Sequence, residues 1–167
     1  FVLVASLDAP KSVAEVIALA KDEPGKLSIG HAGNGTAHHL GAALFTQQAG
    51  VRIPGVAYRG SAPAASDVLG GHIPLAIVDI PSSVELIRSG KMRALGVTST
   101  ARLSSLPDTP TLAEAGLPGY DAVGWFGLVA PAATPTDIVA RLNAGFVKAM
   151  QNPALATSLA ASLDRAA

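Results

Sequence analysis

Apolar residues arrive in short blocks that alternate with amphipathic stretches. Residues 1–5, 73–78 and 92–97 are nearly unbroken apolar runs, and residues 27–29 and 51–57 are weaker versions of the same thing. Blocks of this length, rich in Val, Ile and Leu, predict strands buried on both faces. Helical spacing fills the gaps. Ser12-Val-Ala-Glu15 has the form of a capping box, with Val13, Val16, Ile17 and Ala20 on one face, and Pro24-Gly25 stops the helix behind Lys21. A second helix starts after Thr36, carries Leu40, Ala43 and Leu44 as its apolar face, and ends near Gly50. Ser61 is expected to cap a third over residues 62–69, ended by Gly70-Gly71, and Ser82 with Glu85 to open a fourth over residues 81–89. A helix after each strand predicts an α/β fold, a mostly parallel sheet covered by helices on both faces.

That arrangement brings three strand-to-helix loops to one carboxyl edge, where open α/β sheets bind ligands. They are residues 31–36, 58–61 and 79–82. The first carries the most information. Gly30, Gly33 and Gly35 let the chain turn sharply and expose its own N–H groups, and Thr36 caps the helix that follows. A helix start is partly positive and has unpaired donors, so the loop reads as a cradle for a small carboxylate that needs no basic side chain. The plainer reading is a strand-to-helix turn that binds nothing. Phosphate readings fail: no Gly-Lys-Ser/Thr follows, and His38 stands where a dinucleotide fingerprint needs its third glycine.

Beyond Val97 the texture changes. Leu106-Pro-Asp-Thr-Pro110 is an irregular connector, and Thr111-Leu-Ala-Glu114 is expected to cap a short helix stopped at Gly116. A last strand is expected over residues 125–130, with Trp125 in the core. Thr134, Pro135 and Asp137 then read as cap, first position and acidic third position of a helix that turns Val139, Leu142 and Phe146 inward. Residues 154–163 suggest one more helix.

Composition narrows the function. Of 167 residues, 49% are hydrophobic and only 14% charged, with mean hydropathy +0.40, which is a globular composition. Twelve basic residues balance twelve acidic ones, so no basic stripe is available for nucleic acid. The absence of Cys excludes disulfides, thiolate metal sites and Cys nucleophiles. The longest apolar run, residues 125–133, is too short to cross a bilayer. Because the chain opens inside a strand pattern at Phe1, it is expected to be a piece of a longer precursor.

The remaining candidates each have a plain alternative. His38 and His39 point about 100° apart on a helix, so they do not chelate together, and neither metal nor cofactor is expected. His39 is expected to hydrogen-bond within the lobe. Asp79 is read as a cap for the helix after it, with a general base as the rival. Arg59 either forks onto a carboxylate or stays solvated. Tyr58 is expected to pack in a wall of the site. No Gly-x-Ser-x-Gly elbow is present.

Taken in order, the motifs resemble the Bug family, the extracytoplasmic solute receptors of tripartite tricarboxylate transporters. They are Gly33-Asn-Gly-Thr36 with His39-Leu40, Val56-Ala-Tyr-Arg-Gly-Ser-Ala-Pro63, and Asp67-Val-Leu-Gly-Gly71. Gly90-Lys-Met-Arg-Ala-Leu95, the stretch from Leu106 to Tyr120, and Trp125-Phe-Gly-Leu-Val-Ala-Pro131 complete the set. The resemblance covers residues 1–163. It implies one lobe of a type II periplasmic-binding-protein-like fold, in a receptor whose two lobes close on a small carboxylate without chemistry. It further implies export to the periplasm and delivery to the membrane subunits of the transporter. Carried over position by position, the ligand loops are His31, Ala32, Gly33, Asn34, Gly35 and Thr36, then Tyr58, Arg59, Gly60 and Ser61, with Asp79 on the same rim. Residues 1–124 correspond to the second lobe, and residues 125–167 to a return into the first.

Two features depart from the family. His31 stands where a small hydroxyl residue is usual, at the expected lip of the site, where it would contact ligand or make binding pH-dependent. The long segment that begins the first lobe is also missing, so the 125–167 tail is expected to fold back, to pair with a second copy as a homodimer, or to stay poorly ordered. The rival functions are an α/β enzyme using His31 and Asp79 as an acid-base pair, and a structural fragment that binds nothing.

Overall fold

A computed structural model describes residues 1–125 and 127–155. Five strands form one sheet: β1 (Val2–Ala5), β2 (Ile29–His31), β3 (Gly55–Ala57), β4 (Leu75–Val78) and β5 (Arg93–Val97), in the order β3-β2-β4-β1-β5. Its helices are α1 (Val13–Asp22), α2 (Ala37–Ala49), α3 (Ser61–Leu69), α4 (Val84–Arg88) and α5 (Thr136–Met150). β2 runs parallel to β3 and β4, as the strand-helix alternation predicts. β1 does not. It lies antiparallel between β4 and β5, pairing Val2 with both Val78 and Val97. The connections on either side of α1, residues 6–12 and 23–28, are long enough for the chain to leave and re-enter the sheet from one edge.

Side chains alternate along each strand and divide the core in two. Leu3, Ala5, Leu75 and Ile77 face α1 and α2, meeting Val16, Ala20, Ala42 and Phe45. Val2, Val4, Ala76 and Val78 face α3, meeting Ala64, Ala65 and Val68. Helices therefore cover both faces. The inner face of α2 differs from the expected one. His38, Gly41, Ala42 and Phe45 are buried, whereas Leu40 is 63% exposed. Tyr120 lies across the helix on this face and donates its hydroxyl to the Gly41 carbonyl at 2.9 Å. Gly30 continues β2 instead of breaking it, and a Cβ there would lie 2.6 Å from Ile73 Cδ1.

Helix starts follow the sequence in part. Ser12 Oγ accepts from the Glu15 N–H at 3.1 Å, while the Glu15 carboxylate reaches back to the Lys11 N–H at 2.8 Å, one residue beyond the expected partner. Thr111 and Glu114 form a complete reciprocal box, 2.8 and 3.0 Å, but it caps turns and no full helix. The Ser82–Glu85 box does not form. The region splits into a single 3-10 turn, Ile80–Ser82, and the short α4, because the Ser82 and Ser83 hydroxyls both donate to the Asp79 carbonyl.

Past Gly124 the expectations fail. No strand forms among the described residues of 125–130, and Trp125 is 86% exposed. A strand needs a neighbour to pair its backbone, and none reaches this segment. α5 does form, starting from Pro135 with no side-chain cap, so Thr134 does not serve as one. Val139, Leu142 and Phe146 are exposed, as is every residue of that helix, so α5 does not fold back onto the lobe. The helix expected over residues 154–163 lies almost wholly outside the described residues.

Candidate functional site

The three loops do leave the carboxyl ends of β2, β3 and β4 side by side, and hydrogen bonds tie them together. The Tyr58 N–H donates to the His31 carbonyl at 2.9 Å, and the Gly60 N–H to the Ala32 carbonyl at 3.2 Å. The Asp79 N–H donates to Ser61 Oγ at 3.2 Å. Gly33, Gly35 and Gly60 have φ of 130°, 77° and 114°, values that side-chain-bearing residues rarely adopt. Thr36 caps α2 through the His39 N–H and also donates its hydroxyl to the Gly33 carbonyl at 2.7 Å. The Gly35 N–H in turn donates to His39 Nδ1 at 3.1 Å, the hydrogen bond within the lobe expected of His39. Among the described residues, the N–H groups of Asn34, Ala37 and Arg59 have no acceptor within the chain. Unpaired N–H groups at a helix start are the kind of donor that an anion accepts from.

The motifs do not single out His38, yet it is the centre of the rim. Its Nε2 lies 2.9 Å from Asp79 Oδ1 and 3.2 Å from Ser61 Oγ, which joins the start of α2 to the other two loops. The Phe1 ring covers the imidazole, with centroids 4.0 Å apart, and Gly124 packs against the tip of that ring, where a Cβ would come within 2.6 Å of Cζ. One signal could have found His38. It shares a stripe with Gly41, Ala42 and Phe45, and a polar residue on a buried stripe must have a partner.

This network corrects two readings. Asp79 sits at the cap position of the 3-10 turn, but its side chain caps nothing; it turns to His38. Ser61 is the first residue of α3 and Gly60 its cap, so the Ser61 hydroxyl is free to bridge loops. The His38 contact, with help from the Ser61 hydroxyl, holds the Asp79 carboxyl below its ordinary range in spite of partial burial. Serine, histidine and aspartate meet here, but the wiring is not that of a hydrolase triad. Ser61 and Asp79 both approach Nε2, so the nitrogen that holds the carboxylate is not a free base for the hydroxyl.

His31 is not at the lip. Its imidazole is buried, bonded through Nδ1 to the Gly33 backbone at 3.1 and 3.3 Å, and stacked on His39 with centroids 4.4 Å apart. Gly55 makes the room, since a Cβ there would approach His31 Nε2 at 3.1 Å. Burial pushes the His31 pKa down, the Gly33 contact opposes this, and the nearby histidines add to it. His31 and Asp79 thus have separate partners and form no acid-base pair. Tyr58 points toward α3, where its hydroxyl donates to Asp67 at 2.7 Å, and burial with that contact pushes its pKa up to about 12. It packs, as expected, here against the core on the α3 side of the sheet. Arg59 is exposed, and its guanidinium has no partner among the described residues. Asn34 and Gly35 are exposed beside it, while Ala32, Gly33 and Thr36 are half-buried.

Comparison with known proteins gives a consistent result. A profile described as the tripartite tricarboxylate transporter family receptor matches residues 1–164. A Pseudomonas sp. strain P51 protein, the UPF0065 protein in the tcbD-tcbE intergenic region, is 42% identical over 150 residues. The match covers 89% of this chain and 45% of that one. Protein BugT of Bordetella pertussis is 37% identical over 90% of this chain and 46% of its own length. Among solved structures, MatC of Rhodopseudomonas palustris with bound malate superposes with a TM-score of 0.86 at 32% identity, covering 96% of this chain and 55% of that one. Another R. palustris protein, solved with adipate, gives 0.84 at 37% identity, with 95% and 53% covered. The chain spans about half the length of most of the relatives it matches.

Proposed function

The chain belongs to the tripartite tricarboxylate transporter receptor family, and from that premise we propose that it is the second lobe of a periplasmic receptor that binds a small carboxylate and hands it to the transporter's membrane subunits. The observation that carries the reading is the set of unpaired N–H groups at Asn34, Ala37 and Arg59, held at one edge by three mutually bonded loops. A carboxylate there accepts from fixed donors at the positive end of α2, and the Arg59 guanidinium adds a mobile cation. The contributing residues are Ala32, Gly33, Asn34, Gly35, Thr36, Arg59, Gly60, Ser61 and Asp79, with His31 and Tyr58 bracing the loops from behind. That relatives of similar fold were solved with malate and adipate supports the ligand class. The wiring of the Ser61–His38–Asp79 cluster supports binding without catalysis.

Residues 125–167 belong, on this reading, to the first lobe. Their exposed apolar residues then pack against receptor segments outside these 167 residues, and the homodimer becomes the outcome when those segments are missing. Amide chemical-shift mapping of the isotope-labelled chain with malate and with adipate tests the binding claim. Saturable shifts at Asn34, Ala37 and Arg59 are expected. Shifts confined to other surfaces, or none in these loops, would overturn it.

A further inference from the structure

Resting on that reading of the rim, we infer that Asp79 determines specificity, selecting among small carboxylates those that carry an amino or hydroxyl donor next to the carboxylate. Its position is fixed on three sides. The backbone leaves β4 directly into it, its N–H is bonded to Ser61 at the start of α3, and its Oδ1 is bonded to His38 in the first turn of α2. The carboxylate therefore stands between the starts of the two helices that line the cradle. Its side chain is still 45% exposed, against 11% for its His38 partner, so the acid faces outward while the imidazole is enclosed.

Arg59 provides the opposite pole. It lies two residues before Ser61, hence within about 7 Å of it along the backbone, and it is exposed with no partner among the described residues. A cation and an anion thus flank the unpaired N–H groups of Asn34, Ala37 and Arg59. A ligand that matches both has its carboxylate toward Arg59 and the amides, and a donor toward Asp79. A plain dicarboxylate lacks that donor and has nothing to offer an acid already ionised, so the contact is lost and binding weakens. One charge-assisted hydrogen bond gained or lost is worth about tenfold in affinity.

Titration calorimetry with a matched four-carbon series isolates this effect: succinate, malate and aspartate differ only in hydrogen, hydroxyl or amino at one carbon. The unmodified chain should bind aspartate and malate about tenfold tighter than succinate. In Asp79→Asn the preference should collapse, with aspartate weakened and succinate unchanged or tighter. Succinate binding as tightly as the others to the unmodified chain would overturn the inference without touching the carboxylate reading. So would an Asp79→Asn variant that weakens all three equally, which marks a purely structural residue. If none of the three binds, the reading of the rim fails and the inference fails with it.

Discussion

Two helices of similar length, α2 and α5, meet opposite fates. α2 has a threonine cap, a glycine stop with left-handed geometry and four buried residues, and it delivers His38 to the rim. α5 is the longer of the two, with Asp137 in its first turn and Lys148 in its last, yet none of its residues is buried. Local signals are therefore sufficient to make a helix and insufficient to bury one. The difference is the sheet: α2 lies across β2 and β4, whereas none of the described residues beyond Gly124 joins a strand.

The contrast should be largest in stability. Phe45→Ala, which empties a fully buried site under α2, is expected to cost about 3–5 kcal/mol in chemical denaturation. Phe146→Ala on α5 should stay within about 0.5 kcal/mol. Equal losses would mean that α5 is packed in solution. A smaller effect is expected where the loops are joined. Ser61→Ala removes the acceptor of the Asp79 N–H and one contact of His38, and should destabilise by about 1–3 kcal/mol. It should also broaden the amide signals of Asp79 and Gly60 without disturbing α5.

Acid sharpens the same comparison. The folded pKa of His31 lies below its ordinary 6.5, so the unfolded chain binds more protons in that interval, and stability present above pH 6.5 is lost as pH falls toward the folded value. Asp79 behaves alike at lower pH: its depressed carboxyl contributes stability above its ordinary 3.8 that is lost as pH falls through the folded value. Melting curves measured across pH should therefore fall in two steps, and His31→Asn should remove the upper one. The smallest effect is expected from deleting residues 125–167, which should leave the melting of residues 1–124 nearly unchanged; a large drop would show that the tail supports the lobe.

Much of the lobe was legible because its signals are local. The apolar blocks predict four of the strands to within a residue or two and overextend the short β3, Ser12 and Thr36 mark real helix starts, and the convergence of loops follows from strands sharing a direction. What was not legible depends on contacts distant in sequence. β1 looks like any other apolar block, and nothing in Phe1-Val-Leu-Val-Ala5 records that its neighbours run the other way. The partners of His38 lie 41 and 23 residues away, so the cluster exists only once the sheet has assembled. The face of α2 was misread because Leu40 and Leu44 outweigh Gly41 on any hydrophobic scale, whereas the contact that marks the buried face comes from Tyr120, 79 residues away. Trp125 was misplaced because a bulky apolar residue implies a core only where a core is within reach.

The place of β1 also sets an order in time. β1 is made before both of its neighbours and is inserted between them, with Val2 held by Val78 on one side and Val97 on the other. Until β5 has been synthesised, residues 2–5 have only half of their hydrogen-bonding partners, and β1 is left as an open edge of the sheet. Closing it joins segments separated by more than half the chain, the kind of non-local pairing that makes folding slow. The lobe thus has little to gain from folding piecemeal as it emerges. Residues 2–5 must wait for residue 97, and any partner that shields a short apolar strand during that interval would raise the yield of folded chain.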